Sequence, residues 1–201
     1  MPYLPDKRQY RSFEGTFEAD AGAPDSYIVE GYATTFDVPY DFGHDGIREC
    51  VLRSAIEGAD MSDVIFQVNH QGTPLARLRN GTLTIEPDSH GLHVRADLSG
   101  SQDARNTYEA IKNGLIDRMS WGFVMKDEDW DYDHETRTST IKRIRKVFDV
   151  SAVSRPADDD TEIHARSYLD GVIEAEQRQE LAQREQSEEL RNLASILRIT
   201  R

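Results

Sequence analysis

Short segments rich in aromatic and β-branched residues run through the chain and constrain its fold most strongly. The clearest of them cover residues 27–36, 63–68, 92–98 and 147–153. Each has the composition or the alternation of a β-strand, and Gly31 predicts a bulge of the kind that strands need when they curl into a barrel. Residues 103–116 predict one internal helix, with Ser101 or Asp103 able to cap it. The pattern therefore predicts an α+β domain, built on a small, closed or partly closed, antiparallel-rich β-barrel with few helices.

Changes of composition divide the chain into three parts. Residues 1–10 contain two prolines and few apolar side chains, which predicts a flexible leader. Residues 11–166 hold the strand-type segments and form the predicted domain. From residue 167 the chain becomes rich in Glu, Gln, Arg and Leu, and residues 174–201 contain neither Pro nor Gly. We expect residues 167–201 to form a helical C-terminal tail that is exposed or bound to a partner.

The strongly acidic composition excludes several classes of function. The 201 residues carry 37 Asp and Glu against 24 Lys and Arg, which gives a net charge of −13. Binding to phosphates needs clustered Lys and Arg, so we expect no nucleic acid as main partner. No apolar run approaches the length of a membrane span, and we expect no membrane partner. Residues 126–136 are especially acidic and predict a mobile loop.

The single cysteine, Cys50, excludes a disulfide within the chain and fits a reducing cytoplasm.

A metal-assisted hydrolase that uses His70, His90 and His93 is a weak alternative for the function of the chain. Residues three apart on a strand point to opposite faces, and the chain has neither a His-Glu-x-x-His motif nor a second cysteine. We therefore predict no metal site and no cofactor.

One segment indicates nucleophilic chemistry. In Met119-Ser120-Trp121-Gly122-Phe123, strand alternation places the three large side chains on one face and Ser120 with Gly122 on the other. A reactive serine needs such an uncrowded face, and a closely approaching substrate backbone tolerates only glycine. On its own, however, the segment fits a core strand with one face of small residues better than it fits a catalytic strand.

A histidine follows a second predicted strand. His70 comes after the apolar run of residues 63–68, preceded by Asn69. Imidazole titrates close to neutral pH, so His70 is a candidate base for the proton of a serine hydroxyl. The alternative is a hydrogen-bonded histidine at the end of a strand, which is the commoner situation for a lone histidine.

Three segments, taken in order, resemble one protein family. They are Asn69-His70, the segment around Ser120, and residues 147–157, which contain Asp149-Val150-Ser151. Together they resemble the prohead (capsid-maturation) serine proteases of tailed bacteriophages and, more distantly, the herpesvirus assemblins. The resemblance extends over about residues 27–163, most of the chain, and implies a herpesvirus protease-like fold.

The resemblance also implies site residues. Ser120 would be the nucleophile, His70 the general base, and Asp149 the acid that orients the imidazole. Asp149 stands where the family pattern more often has Glu, and where assemblins place a second histidine. Arg155 resembles the arginine of the assemblin oxyanion loop, so the backbone N–H groups around Ser154 and Arg155 are candidate oxyanion donors.

The function that the resemblance implies is a serine endopeptidase of the assembling procapsid in the host cytoplasm. It would cleave scaffold segments, the N-terminal part of the major capsid protein and often itself. Its partners would be the phage major capsid and scaffold proteins, and a homodimer is a further expectation because dimerisation activates the assemblins. The alternative is a non-enzymatic capsid assembly or scaffolding protein on the same fold, which would have no reason to keep Ser120, His70 and Asp149 together.

Overall fold

The computed structural model describes residues 8–13, 18–19, 26–41 and 46–154, together with residues 178, 181–184, 186, 187 and 191. The strands in these ranges are β1 (Gln9–Phe13), β2 (Glu18–Ala19), β3 (Ile28–Thr35), β4 (Tyr40–Asp41), β5 (Arg48–Val51), β6 (Ile65–Val68), β7 (Gln71–Arg77), β8 (Leu83–Pro87), β9 (Gly91–Asp97), β10 (Arg118–Val124), β11 (Trp130–Asp133), β12 (Thr138–Ile141) and β13 (Lys146–Val153). The helices are α1 (Gln102–Lys112) and three short 3₁₀ turns, Arg53–Ile56, Leu78–Asn80 and Asp127–Asp129.

The strands form three sheets. Their orders are β1-β10-β13-β6-β7, β11-β12-β5-β4 and β2-β3-β9-β8. Strand β13 pairs in parallel with β6, and β12 in parallel with β5, whereas the other pairs are antiparallel. The predicted strand-rich α+β fold is thus confirmed. None of these sheets closes on itself within the described ranges, so the predicted barrel is not confirmed.

Helix α1 forms where the sequence predicts it, but it is shorter. The Ser101 hydroxyl accepts a hydrogen bond from the N–H of Ala104 at 3.1 Å and caps the first turn, as predicted. Ala104, Tyr108 and Ile111 share the buried face. Gly114, with φ of 69°, takes the left-handed conformation that ends helices, which is why the helix stops before residue 116.

Two segments differ from the sequence-based prediction. Gln9 and Tyr10, predicted to belong to a flexible leader, pair with Phe123 and Gly122 of β10 and are therefore part of the first sheet. Residues 1–7 of the predicted leader lie outside the described residues. The acidic segment 126–136 is not simply a loop, because it contains a 3₁₀ turn and strand β11, which pairs with β12.

The predicted C-terminal tail is described at a few positions. Residues 178, 181–184, 186, 187 and 191 are helical and exposed. The remainder of the tail and the boundary at residue 166 lie outside the described residues. The division into a domain of residues 11–166 and a tail of residues 167–201 therefore stays a prediction. No helix in the described part of the chain is long and apolar enough to cross a membrane.

Strand β10 separates the main core from the face that carries the candidate nucleophile. Met119, Trp121 and Phe123 are fully buried in the core, with the rings of Trp121 and Phe123 4.5 Å apart between centroids. Ser120 and Gly122 alternate with them and face the other way, as the sequence pattern predicts. The core packing of the large side chains thereby fixes the direction in which Ser120 points.

A buried polar network ties β1 to the neighbouring sheet. Arg11 Nε donates to both carboxylate oxygens of Glu49, at 3.0 and 2.7 Å, and the Tyr40 hydroxyl donates to Glu49 Oε1 at 2.5 Å. Arg11 and Glu49 are both buried. A buried charge is costly unless it is paired, so this pair holds β1 in place at the edge of its sheet.

We expect the substitution Tyr40→Phe to weaken the alkaline dependence of stability. Burial and the neighbouring Glu49 carboxylate raise the pKa of Tyr40 well above its usual value, whereas an unfolded chain ionises tyrosine near about pH 10. The stability that neutral Tyr40 contributes is therefore complete below about pH 10 and declines as the pH rises above it. Tyr40→Phe should not show this decline. It should also lose about 1.5–3 kcal/mol of unfolding free energy at neutral pH, because a hydrogen bond to a charged acceptor is removed.

Urea unfolding of both proteins at about pH 8 and about pH 11, on either side of the usual tyrosine pKa, measures this effect. Tyr32→Phe is the matched control, because the Tyr32 hydroxyl donates to the Asp88 carboxylate at 2.7 Å and its pKa is raised mainly by that hydrogen bond, whereas the pKa of Tyr40 is raised further and mainly by burial, so Tyr32 should contribute less. An equal alkaline loss of stability in wild type and Tyr40→Phe would contradict the assignment.

Candidate active site

The register of three neighbouring strands brings the predicted site residues to one place. Ser120 of β10 lies opposite Ser151 of β13, and Gly122 lies opposite Asp149. Strand β6 runs parallel to β13 and ends with Val68 opposite Ala152. The turn that follows β6, which carries His70, therefore lies beside the same end of β13.

That turn is a tight two-residue hairpin connection. Asn69 and His70 lie between the paired residues Val68 and Gln71, with φ values of 50° and 56°. Positive φ at both central positions is the signature of a type I′ turn, in which asparagine is favoured. The backbone N–H of Asn69 donates to the Ala152 carbonyl at 3.0 Å, and that of His70 donates to Ser151 Oγ at 3.2 Å. These bonds tie the turn to β13 and direct the imidazole back over that strand.

The three predicted residues form one hydrogen-bonded row. His70 Nε2 lies 2.7 Å from Ser120 Oγ, and His70 Nδ1 lies 2.5 Å from Asp149 Oδ1. With neutral imidazole carrying its proton on Nδ1, Nδ1–H donates to the carboxylate and Nε2 accepts from the serine hydroxyl. This geometry allows proton transfer from the serine to the imidazole while the carboxylate fixes the tautomer.

The Asp149 carboxylate is fully buried and held on both oxygens. Oδ1 accepts from Ser151 Oγ at 3.2 Å in addition to His70, and Oδ2 accepts from Arg8 Nη1 at 3.4 Å. A buried carboxylate is unfavourable unless such donors replace its water. A methyl group built on Gly122 would lie 2.6 Å from Asp149 Oδ2. The small residue that the sequence suggested as room for substrate therefore makes room for this carboxylate.

The row is shielded from solvent. Ser120 is 1% exposed and Asp149 0%, and the side chain of His70 is 8% exposed. The Tyr10 ring packs against the imidazole with 4.2 Å between ring centroids. Low exposure strengthens the electrostatic interactions within the row.

The remaining predicted site residue, Arg155, lies outside the described residues. The neighbouring Ser154 is described, and its backbone N–H donates to Asn69 Oδ1 at 3.3 Å. The backbone that leads to Arg155 therefore starts beside the turn that carries His70. The oxyanion role of these backbone groups stays a prediction.

Sequence reasoning missed three side chains that contact the row: Arg8, Tyr10 and Ser151. The sequence held a signal for Ser151, because it follows Asp149 by two residues and so shares its face of the strand. It held none for Arg8 and Tyr10, whose positions depend on the pairing of β1 with a distant strand.

The metal hypothesis also named His90 and His93, and these two histidines make a different contact. His90 and His93 both contact the ring of Tyr32, at centroid distances of 4.5 and 5.2 Å. Among the residues whose positions are described, no group of three or more His, Cys, Asp or Glu side chains is arranged to hold a metal ion.

Comparison with known proteins places this geometry in a family. The sequence model of the caudovirus prohead serine proteases matches residues 16–172, more than three quarters of the chain. No curated protein and no solved structure matches the chain significantly. The matched range includes Ser120, His70 and Asp149, which the fold joins by hydrogen bonds. The chain therefore belongs to the caudovirus prohead serine protease family, a family of serine peptidases of capsid maturation.

Proposed function

We propose that the chain is an endopeptidase that cleaves scaffold segments and the major capsid protein during prohead maturation, and that it also cleaves itself. The observation that carries the proposal is the continuous row from Ser120 Oγ through the His70 imidazole to the Asp149 carboxylate. A serine hydroxyl is a weak nucleophile without a base, and this row supplies the base and the group that orients it.

In the proposed mechanism, Ser120 Oγ attacks the carbonyl carbon of the scissile peptide bond while His70 Nε2 takes the hydroxyl proton. Asp149 keeps the other ring proton on Nδ1 and stabilises the imidazolium that forms. The imidazolium then gives its proton to the departing amine, which leaves an acyl group on Ser120. Water attacks this ester with His70 again as base, and the acid product leaves. Base assistance of this kind contributes about a hundred- to ten-thousandfold in rate.

Two further elements complete the proposal. Backbone N–H groups near Ser154 and Arg155 would stabilise the oxyanion. The catalytic domain would include β1 and so begin before residue 11, because residues of β1 contact the site.

The proposed partners are the major capsid protein and the scaffold protein inside the assembling procapsid of the host cell, with a second copy of the chain as a further candidate. The family supports contact with capsid components. The net charge of −13 disfavours nucleic acid as a main partner.

A fluorophosphonate probe tests the assigned nucleophile directly. Attack by an activated serine oxygen on phosphorus expels fluoride and leaves a stable adduct. We expect the probe to label Ser120 alone in the chain co-assembled with its capsid and scaffold proteins, as mapped by peptide mass spectrometry. His70→Ala should abolish the label, since the hydroxyl loses its base. A label on a different serine, or none in the assembled particle, would refute the assignment.

A further inference from the structure

The first described residue of the chain lies against the acid of the row. Arg8 Nη1 is 3.4 Å from Asp149 Oδ2 and 3.5 Å from the Tyr10 hydroxyl. The guanidinium carbon of Arg8 lies 4.1 Å from the centroid of the Phe148 ring. A carboxylate, a hydroxyl and an aromatic face thus surround one planar cation, the kind of site that arginine suits.

The two oxygens of Asp149 have different partners. Oδ1 faces His70 and Ser151, and within the described ranges Arg8 is the cation that reaches Oδ2. The carboxylate is fully buried, whereas 39% of the Arg8 side chain is exposed. Arg8 therefore compensates the buried negative charge from the solvent side.

Resting on the function proposed above, we propose that Arg8 is a positioning residue of the triad. Its guanidinium holds Oδ2 of Asp149 and so keeps Oδ1 on His70 Nδ1. Its positive charge also disfavours a second positive charge on the imidazole before substrate binds. The family match begins at residue 16, so Arg8 lies before the segment that the family describes.

The other groups around Asp149 do not duplicate this charge. Strand β1 adds the Tyr10 ring, the turn adds the His70 imidazole, and β10 contributes Ser120 and Gly122, none of which is a lysine or arginine side chain. A further cation, Lys146, has its Nζ 5.6 Å from the Phe148 ring centroid. Lys146 is engaged by Asp60 at 2.7 Å and makes a suitable control.

The test measures the rate at which the fluorophosphonate probe labels Ser120 as a function of pH. In Arg8→Gln the acid limb of the labelling profile should move to higher pH, because a positive charge beside Asp149 has been removed. Arg8→Lys, which keeps the charge, should restore most of the difference, and Lys146→Gln should match wild type.

A second readout does not depend on activity. In the Ser120→Ala background, the low-field NMR signal of the His70 Nδ1 proton should move when Arg8 is also changed to Gln, because the Asp149 carboxylate is then held less firmly against the ring. Ser120 labelling with the same acid profile in wild type and Arg8→Gln would overturn the role of Arg8 and leave the proposed function standing. Absence of labelling in every variant would count against the proposed function, and the NMR signal of the His70 Nδ1 proton would then decide the role of Arg8, with an unchanged signal overturning it.

Discussion

Co-expression of the chain with the capsid and scaffold proteins of its phage is expected to give shortened products with wild type and full-length proteins with Ser120→Ala. Removal of the nucleophile leaves only transition-state binding, so cleavage should slow by about ten-thousandfold or more. Intact-mass analysis of the assembled particles measures the products and locates the cleavage sites. The fold should survive, because alanine lacks only the hydroxyl oxygen of serine and fits the same small space in the sheet.

Ser139→Ala is the matched control for this prediction. Ser139 is also a buried serine in a strand, on β12, and its loss should leave cleavage unchanged. Equal masses with wild type and Ser120→Ala, in particles that still assemble, would contradict the protease assignment. They would favour the alternative of a non-enzymatic scaffolding protein, in which Ser120 is a small residue on a sheet.

Asp149→Asn is expected to lower activity by about ten-thousandfold while leaving the overall fold unchanged. Asparagine has the shape of aspartate, but its amide can donate to His70 Nδ1. The ring proton then moves to Nε2, which no longer accepts the proton of Ser120. Kinetics of Ser120 labelling at about pH 8, above the usual histidine pKa, together with circular dichroism, measure both effects.

Gly122→Ala tests the same carboxylate without changing any member of the row. The added methyl group would lie 2.6 Å from Asp149 Oδ2 and 3.0 Å from the Tyr10 ring, so the carboxylate or the ring must move from its present position beside His70. We expect about a hundredfold loss, as a small misplacement of a catalytic group can cause. Gly100→Ala is the control, because a methyl group there meets no atom within 4 Å.

The prediction for Asp149→Asn has its own contradicting outcome. Activity of Asp149→Asn within about tenfold of wild type would make Asp149 a structural residue, since a true triad acid contributes far more.

Local patterns predicted the elements whose formation depends on nearby residues. The alternation of residues 119–123 gave the correct faces of β10, and Ser101 gave the correct start of α1. The dipeptide Asn80-Gly81 predicts a tight hairpin turn, and Gly81 does take a positive φ, of 77°. The hairpin that this dipeptide favours did not form, because β7 and β8 join different sheets.

Pairing between distant segments was not predictable in the same way. Strand β1 is stabilised by β10, and its own composition resembles that of a loop, so the prediction of a leader was wrong for Gln9 and Tyr10. Whether a segment forms a strand depends more on its neighbouring strands than on its own composition. The sequence identified Ser120 and His70 as candidates. The short distance between their side chains depends on how β6, β13 and β10 pair, which the sequence did not predict.

The buried pair of Arg11 and Glu49 has a practical consequence for any shortened form of this protein. A version trimmed to the family match, beginning at residue 16, would lack Arg11 and leave the Glu49 carboxylate without this cation inside the protein. Loss of one partner of a buried ion pair costs about 3–5 kcal/mol, a large share of the stability of an ordinary domain. The limits of family homology and the limits of an independently folding unit therefore differ at the N-terminus of this chain.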